Sequence, residues 1–165
     1  MYEIICNKIE NILKDDNLAA PILNLHLPKR AKFERYLQTV LAYKLKSHYP
    51  DTQIEKPYPN NSRERADIFA NDTYIEIKTP NTRYEVEGVE SKTKPMSKNI
   101  KGIIYDIEKL QTSRVKNGVV AFVLFPVDKD EKYKDYVKRI TGVLTHKKAY
   151  KESVVGQFCV FSAKV

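Results

Sequence analysis

The sequence has 165 residues, of which 42% are hydrophobic and 30% are charged, and its formal net charge is +8. This length and balance predict one domain over residues 1–165. The sequence has no apolar run long enough to cross a bilayer and no signal-peptide pattern, which argues against a membrane or secreted protein. We therefore expect a cytoplasmic protein. The excess of lysine and arginine favours a polyanionic partner such as nucleic acid over a neutral one.

Two amphipathic helices are predicted first. Residues 3–14 have isoleucines at helical spacing, and residues 29–48 have a second apolar stripe. The members of that second stripe are Phe33, Tyr36, Leu37, Val40 and Leu41. Prolines then surround a predicted strand at residues 52–56.

A hairpin is predicted next, with strands at 65–70 and 73–79 that turn on Asn71-Asp72. This register places Asp67 opposite Glu76. Because side chains alternate along a strand, the hairpin has an apolar face and a polar face. The apolar face is predicted to contain Ala66, Ile68, Ile75 and Ile77, and the other face Arg65, Asp67, Phe69, Tyr74, Glu76 and Lys78.

Two carboxylates that lie opposite each other in a hairpin repel, and such a pair is destabilising unless positive charge is near. A divalent metal ion together with Lys78 would supply that charge, so we predict a functional site at Asp67, Glu76 and Lys78. The alternative is a solvated strand face that carries charge outward with no function.

A polar loop, residues 80–96, follows the hairpin and contains Arg83, Lys92 and Lys94. Ser97 is the predicted N-cap of a helix at 98–112, which turns its isoleucines inward. Its opposite stripe is formed by Lys98, Lys101, Tyr105 and Lys109. Lysines interleaved with an aromatic residue suit a phosphate backbone, although a merely solvated helix face is the alternative.

Residues 118–125 form an apolar run of strand length, which is typical of a strand buried on both faces. A helix is predicted at 128–141 and a final strand at 157–163, while residues 142–156 are left unassigned. The two cysteines, Cys6 and Cys159, lie at opposite ends of the chain and are expected to be reduced.

This element order, with Asp67 and Glu76-Ile77-Lys78 on adjacent strands, resembles the PD-(D/E)xK nuclease superfamily over roughly residues 29–125. The resemblance implies a restriction-endonuclease-like αβββαβ core, with a mixed central sheet flanked by helices and here an extra N-terminal helix. Ala66 departs from the pattern, because a proline precedes the aspartate in the family's signature.

The resemblance also implies roles for individual residues. Asp67, Glu76 and Lys78 would be catalytic, and Glu34 on the preceding helix would be an additional catalytic carboxylate. Its position alone also suits a helix N-terminus, where the dipole favours acids. Asp67, Glu76 and the Ile77 carbonyl would hold Mg²⁺, for which Mn²⁺ could substitute. Basic residues would contact DNA, namely Arg65, Arg83, Lys94, Lys98, Lys101 and Lys109.

The sequence is therefore interpreted as a metal-dependent endonuclease that hydrolyses DNA phosphodiester bonds, in restriction, mobile-element defence or repair. The competing interpretation is a non-catalytic module that binds nucleic acid or protein on the same fold. The oligomeric state is left open, with a homodimer as one alternative.

Overall fold

The computed structural model describes residues 1–15, 33–82, 96–127, 133–145 and 149–165. In chain order its helices are α1 (Tyr2–Lys14), α2 (Phe33–Lys46), α3 (Met96–Thr112) and α4 (Tyr133–Thr141). Its strands are β1 (Gln53–Tyr58), β2 (Asn61–Ala70), β3 (Thr73–Lys78), β4 (Gly118–Leu124), β5 (Tyr150–Val155) and β6 (Phe158–Lys164). The protein is α/β, as predicted.

The strands form one mixed sheet in the order β1-β2-β3-β4-β6-β5. Strands β1, β2 and β3 are joined by short turns and pair antiparallel. Strand β4 is parallel to β3. Helix α3, which lies between them in the chain, forms the crossover connection that a parallel pair needs. Strands β6 and β5 extend the sheet antiparallel beyond β4.

Helices cover both faces of the sheet. On one face α1 and α2 pack against buried residues such as Ile68, Ile75 and Ile77. On the other face α3 and α4 pack against Val120 and Phe122. Strand β4 is buried along its whole length and sends alternate side chains into the two cores, which confirms the prediction from its continuous apolar sequence.

Several predicted boundaries and side-chain positions were wrong. Strand β2 begins at Asn61 rather than at 65, and β5 forms within the stretch that the pattern left unassigned. Helix α3 begins at Met96, so Ser97 lies inside its first turn and is not its N-cap. Tyr36 is 43% exposed and does not belong to the apolar stripe of α2. The predicted helix starts at 29 and 128 lie outside the described residues.

None of the helices within the described ranges is both long and apolar enough to cross a membrane. Both cysteines are buried and free, Cys6 on α1 and Cys159 on β6, and burial raises the pKa of each thiol.

Candidate active site

The hairpin between β2 and β3 forms three of its four predicted pairs, and the predicted pair of Asp67 with Glu76 is not among them. Ile68 pairs with Ile75, Phe69 with Tyr74 and Ala70 with Thr73. The turn residues Asn71 and Asp72 both have positive φ, 49° and 55°, as the tightest hairpin turns require. The isoleucines of the pair are fully buried, as predicted.

The two strands separate beyond Ile68 and Ile75, at the position of Asp67. The Ile77 N–H donates to Asp67 Oδ2 at 2.7 Å, so a side chain takes the place of a strand carbonyl there. Gln38 of α2 donates its side-chain N–H to the Asp67 carbonyl at 2.6 Å and is itself buried. Asp67 is therefore fixed from two sides at the point where β2 leaves β3.

The alternation of side chains between the two faces of β2 is interrupted at Asp67. The predicted composition of the two hairpin faces was therefore wrong there. Ala66 packs in the α3–α4 core, whereas Ile68 packs in the α1–α2 core. Opposite Asp67, Glu55 of β1 has a positive φ of 55°, which a regular strand residue does not adopt. Because Ala66 faces α3, its neighbour Arg65 points to the other side, where it donates to the Glu55 carbonyl at 3.1 Å.

Glu76 is 2% exposed and has two charged or polar partners on a single oxygen. Lys109 Nζ lies 2.6 Å from Glu76 Oε1, and the Tyr58 hydroxyl donates to the same atom at 2.5 Å. Burial raises the pKa of Glu76 to about 7, with further increases from Asp67 and Asp106, although the bonds from Lys109 and Tyr58 act in the opposite direction. Glu76 is thus a buried carboxylate whose charge is costly.

Lys78 lies between two more carboxylates. Its Nζ is 3.1 Å from Asp106 Oδ2 and 3.8 Å from Glu34 Oε1. Burial by itself lowers the pKa of Lys78, but Asp106, Glu34 and Asp67 outweigh that effect and the net shift is upward. Lys78 is consequently a fixed ammonium group at the centre of the cluster.

Glu34 lies in the first turn of α2, where the helix dipole favours an acid, and its carboxylate also points toward the sheet. In addition to its contact with Lys78, Glu34 accepts a bond of 3.4 Å from the Thr79 N–H on the chain just after β3. Burial raises the pKa of Glu34, Lys78 lowers it and Asp67 raises it. The carboxylate therefore faces the sheet and the other acidic groups.

Asp106 belongs to this cluster, and the sequence interpretation missed it. It is 4% exposed, and burial raises its pKa although Lys78 and Lys109 act in the opposite direction. Its position offered a signal, because it lies three residues after Ile103 and four before Leu110, on the apolar side of α3. A carboxylate there must meet a cation or a donor.

The lysine stripe of α3 is only partly as predicted. Lys98, Lys101 and Tyr105 are exposed, but the Lys109 side chain is 13% exposed and points at Glu76 and Asp106. Lys98 contributes to a cavity of about 500 Å³ that opens beside Lys78 and Glu34. The remaining lining residues of that cavity are Thr79, Pro80, Asn99 and Gly102. Arg83, Lys92 and Lys94 lie outside the described residues.

The charges of the cluster do not balance. Four carboxylates, those of Glu34, Asp67, Glu76 and Asp106, lie near the two ammonium groups of Lys78 and Lys109. With all six ionised, the net charge is −2, which equals the charge that one divalent cation would neutralise.

The proposed metal ligands are only partly free to bind. Asp67 Oδ1 accepts no hydrogen bond from the residues that the structure describes, whereas Glu76 Oε1 already has two partners. The Ile77 carbonyl accepts a long bond of 3.4 Å from Lys78 Nζ. Within the described ranges no three His, Cys, Asp or Glu side chains converge as a metal-holding group. The oxygen-only donor set of two carboxylates and one carbonyl nevertheless suits Mg²⁺, which keeps several of its waters.

Comparisons with known proteins give no relative. No family model matches the sequence, and neither the curated proteins nor the solved structures contain one with significant similarity.

Proposed function

We propose that this protein is a metal-dependent nuclease that hydrolyses phosphodiester bonds in DNA, built on a restriction-endonuclease-like core. The observation that carries the proposal is the cluster of four carboxylates around Lys78 and Lys109, which forms where β2 and β3 separate. The order α2-β1-β2-β3-α3-β4, with β4 parallel to β3, supports the αβββαβ core.

Lys78 would stabilise the charge that develops on the phosphate or would orient the attacking water. Asp106 and Glu34 hold its ammonium group in place and keep it charged, since their carboxylates raise its pKa. Fixed charge is effective in such a position because the group needs no reorganisation during the reaction.

Asp67, Glu76 and the Ile77 carbonyl would hold Mg²⁺, or Mn²⁺ in its place. When bound, the ion would polarise the phosphate and lower the pKa of a water molecule. Asp67 is suited to this role because the Ile77 N–H fixes one of its oxygens and the other is available. With all six groups ionised, the net charge of −2 in a partly buried cluster favours a dication at this position.

DNA is the proposed substrate because the chain has a net charge of +8 and a basic residue borders the cavity beside Lys78. Lys98 and the neighbouring exposed Lys101 would contact backbone phosphates from α3. We propose restriction, defence against mobile elements or repair as the biological role of this activity.

A non-catalytic nucleic-acid-binding module is the second candidate. It is favoured by one observation, the ion pair between Lys109 and Glu76, because this pair already neutralises one of the proposed metal ligands within the protein. A module of this kind would bind DNA in the same way with Mg²⁺ or with EDTA, and it would leave the DNA uncut.

The experiment is a cleavage assay on plasmid, single-stranded and branched DNA, with Mg²⁺, Mn²⁺ or EDTA. We expect the wild type to cut at least one substrate with metal and none with EDTA, and Lys78→Ala and Asp67→Ala to be inactive. Lys116→Ala is the matched control, because Lys116 is 83% exposed and pairs with Asp72 at the other end of β3. Cleavage by the Lys78 and Asp67 variants, or no metal-dependent cleavage by the wild type, would contradict the proposal.

A further inference from the structure

Lys109 makes contacts that a solvated helix lysine does not make. Its Nζ lies 2.6 Å from Glu76 Oε1, 3.7 Å from Asp106 Oδ1 and 5.4 Å from the centre of the Tyr58 ring. The side chain is 13% exposed, and that of Glu76 is 2% exposed. The ammonium group is therefore held by two carboxylates and by the face of an aromatic ring, largely out of water.

This position conflicts with metal binding at Glu76. A divalent ion bound to this carboxylate would lie within a few ångströms of the Lys109 ammonium, and like charges at that distance repel strongly when water is excluded. Glu76 Oε1 already has two partners, Lys109 and Tyr58, so the ion would have to displace one of them or bind through Oε2 beside the Lys109 ammonium group. The ion and the ammonium group thus compete for the same carboxylate.

Lys109 has another acidic partner to which it can move. Asp106 lies one helical turn before it on the same side of α3, and the two groups are already 3.7 Å apart. The four-carbon stem of a lysine has many rotamers, so its charge can leave Glu76 and stay with Asp106 without any change in the helix. Lys78 differs, because acidic groups from two different helices hold it in place.

We propose that Lys109 is an internal counter-cation that competes with the divalent metal for Glu76, and that metal binding displaces it toward Asp106. This inference rests on the proposed function, since it assumes that Glu76 is a metal ligand. It makes the Lys109–Glu76 pair an autoinhibitory contact that holds the site in a metal-free state and sets its metal affinity.

The test measures metal binding without DNA, by calorimetric titration of Mn²⁺ into the wild type, Lys109→Met and Lys109→Arg. Lys101→Met is the matched control, since Lys101 lies exposed on the same helix and the substitution changes the net charge equally. We expect Lys109→Met to bind Mn²⁺ roughly tenfold or more tightly than the wild type, because a charge a few ångströms from the ion is removed. Lys109→Arg should remain weak, and Lys101→Met should match the wild type.

A second measurement covers the case in which Lys109→Met does not fold, as judged by circular dichroism. Lysine side-chain NMR signals of the wild type are followed during titration with Mg²⁺, and the Lys109 signal is assigned through Lys109→Arg. We expect the Lys109 signal to shift as metal binds, while that of Lys101 stays in place. An unchanged Lys109 signal on metal binding would overturn the inference.

The outcomes separate this inference from the proposed function. Equal or weaker Mn²⁺ binding by Lys109→Met overturns the competition but leaves metal-dependent cleavage standing. The absence of metal binding in all variants overturns both proposals. Tighter binding by Lys109→Met supports the inference even if no DNA is cut, in which case only the nuclease proposal fails.

Discussion

Replacement of Glu76 by glutamine should change how the stability of the protein depends on pH. The pKa of this carboxyl rises from its ordinary value of 4.5 to about 7 in the folded protein, with burial as the largest cause and the nearby Asp67 and Asp106 as further ones. Between about pH 4.5 and about pH 7, the Glu76 carboxyl is therefore mostly protonated in the folded state and mostly ionised in the unfolded state. Glu76→Gln has nearly the same shape but no ionisable group.

The sign and size of the effect follow from this difference. Because the folded-state pKa is raised, the protonated carboxyl contributes stability that is complete below about pH 4.5 and is lost as the pH rises through about 7. A difference of about 2.5 in pKa, at about 1.4 kcal/mol for each unit, corresponds to about 3 kcal/mol. The full value applies because Glu76 is only 2% exposed and solvent screens it little.

The measurement is urea denaturation of both proteins at several values between about pH 4.5 and about pH 8. The free energy of unfolding of the wild type, minus that of Glu76→Gln, should fall by up to about 3 kcal/mol over this range. Glu34 and Asp106 also have raised pKa values, but they are present in both proteins and largely cancel in the difference. Glu108→Gln, an exposed site on α3, is the control and should follow the wild type. Parallel curves for the wild type and Glu76→Gln would refute the reasoning.

Three further predictions concern the core, a helix and the basic surface. Ile75→Ala should lower the free energy of unfolding by about 2–5 kcal/mol, because Ile75 is fully buried under α1 and α2. A loss below about 1 kcal/mol, measured by urea denaturation, would contradict this packing. Gly102→Ala should raise the free energy of unfolding by up to about 1 kcal/mol, because alanine favours the helix and its Cβ would have no atom within 4 Å in the middle of α3. A lower thermal midpoint for Gly102→Ala would contradict this prediction. Lys98→Ala and Lys101→Ala should each reduce the slope of log DNA affinity against log salt by about one in fluorescence anisotropy, and an unchanged slope would mean that these lysines are merely solvated.

The sequence determined the parts of this protein that depend on local pattern. The hairpin register followed from a two-residue turn, because Asn71 and Asp72 tolerate the positive φ that such a turn needs. The burial of β4 on both faces followed from its unbroken apolar sequence, and the inward isoleucines of α3 from their helical spacing. In each case the residues that decide the outcome are close together in the chain.

Only the tertiary structure decided how the site is completed. Ala66 and Ile68 face different cores at the point where Glu55 of β1, across from Asp67, has a positive φ. The hairpin sequence alone contains no information on that neighbouring strand. Asp106 contacts Lys78 and Lys109 contacts Glu76, because α3 connects β3 to β4 and packs on the face of the sheet. The spacing of Asp106 from the buried residues of α3 indicates that it lies on the inner side of the helix. A helical pattern does not predict which side chains of the sheet it will contact there. The partners of a buried charge are set by packing between distant segments. This is why the sequence predicted the carboxylates and lysine of the hairpin but assigned Lys109 to DNA and not to Glu76.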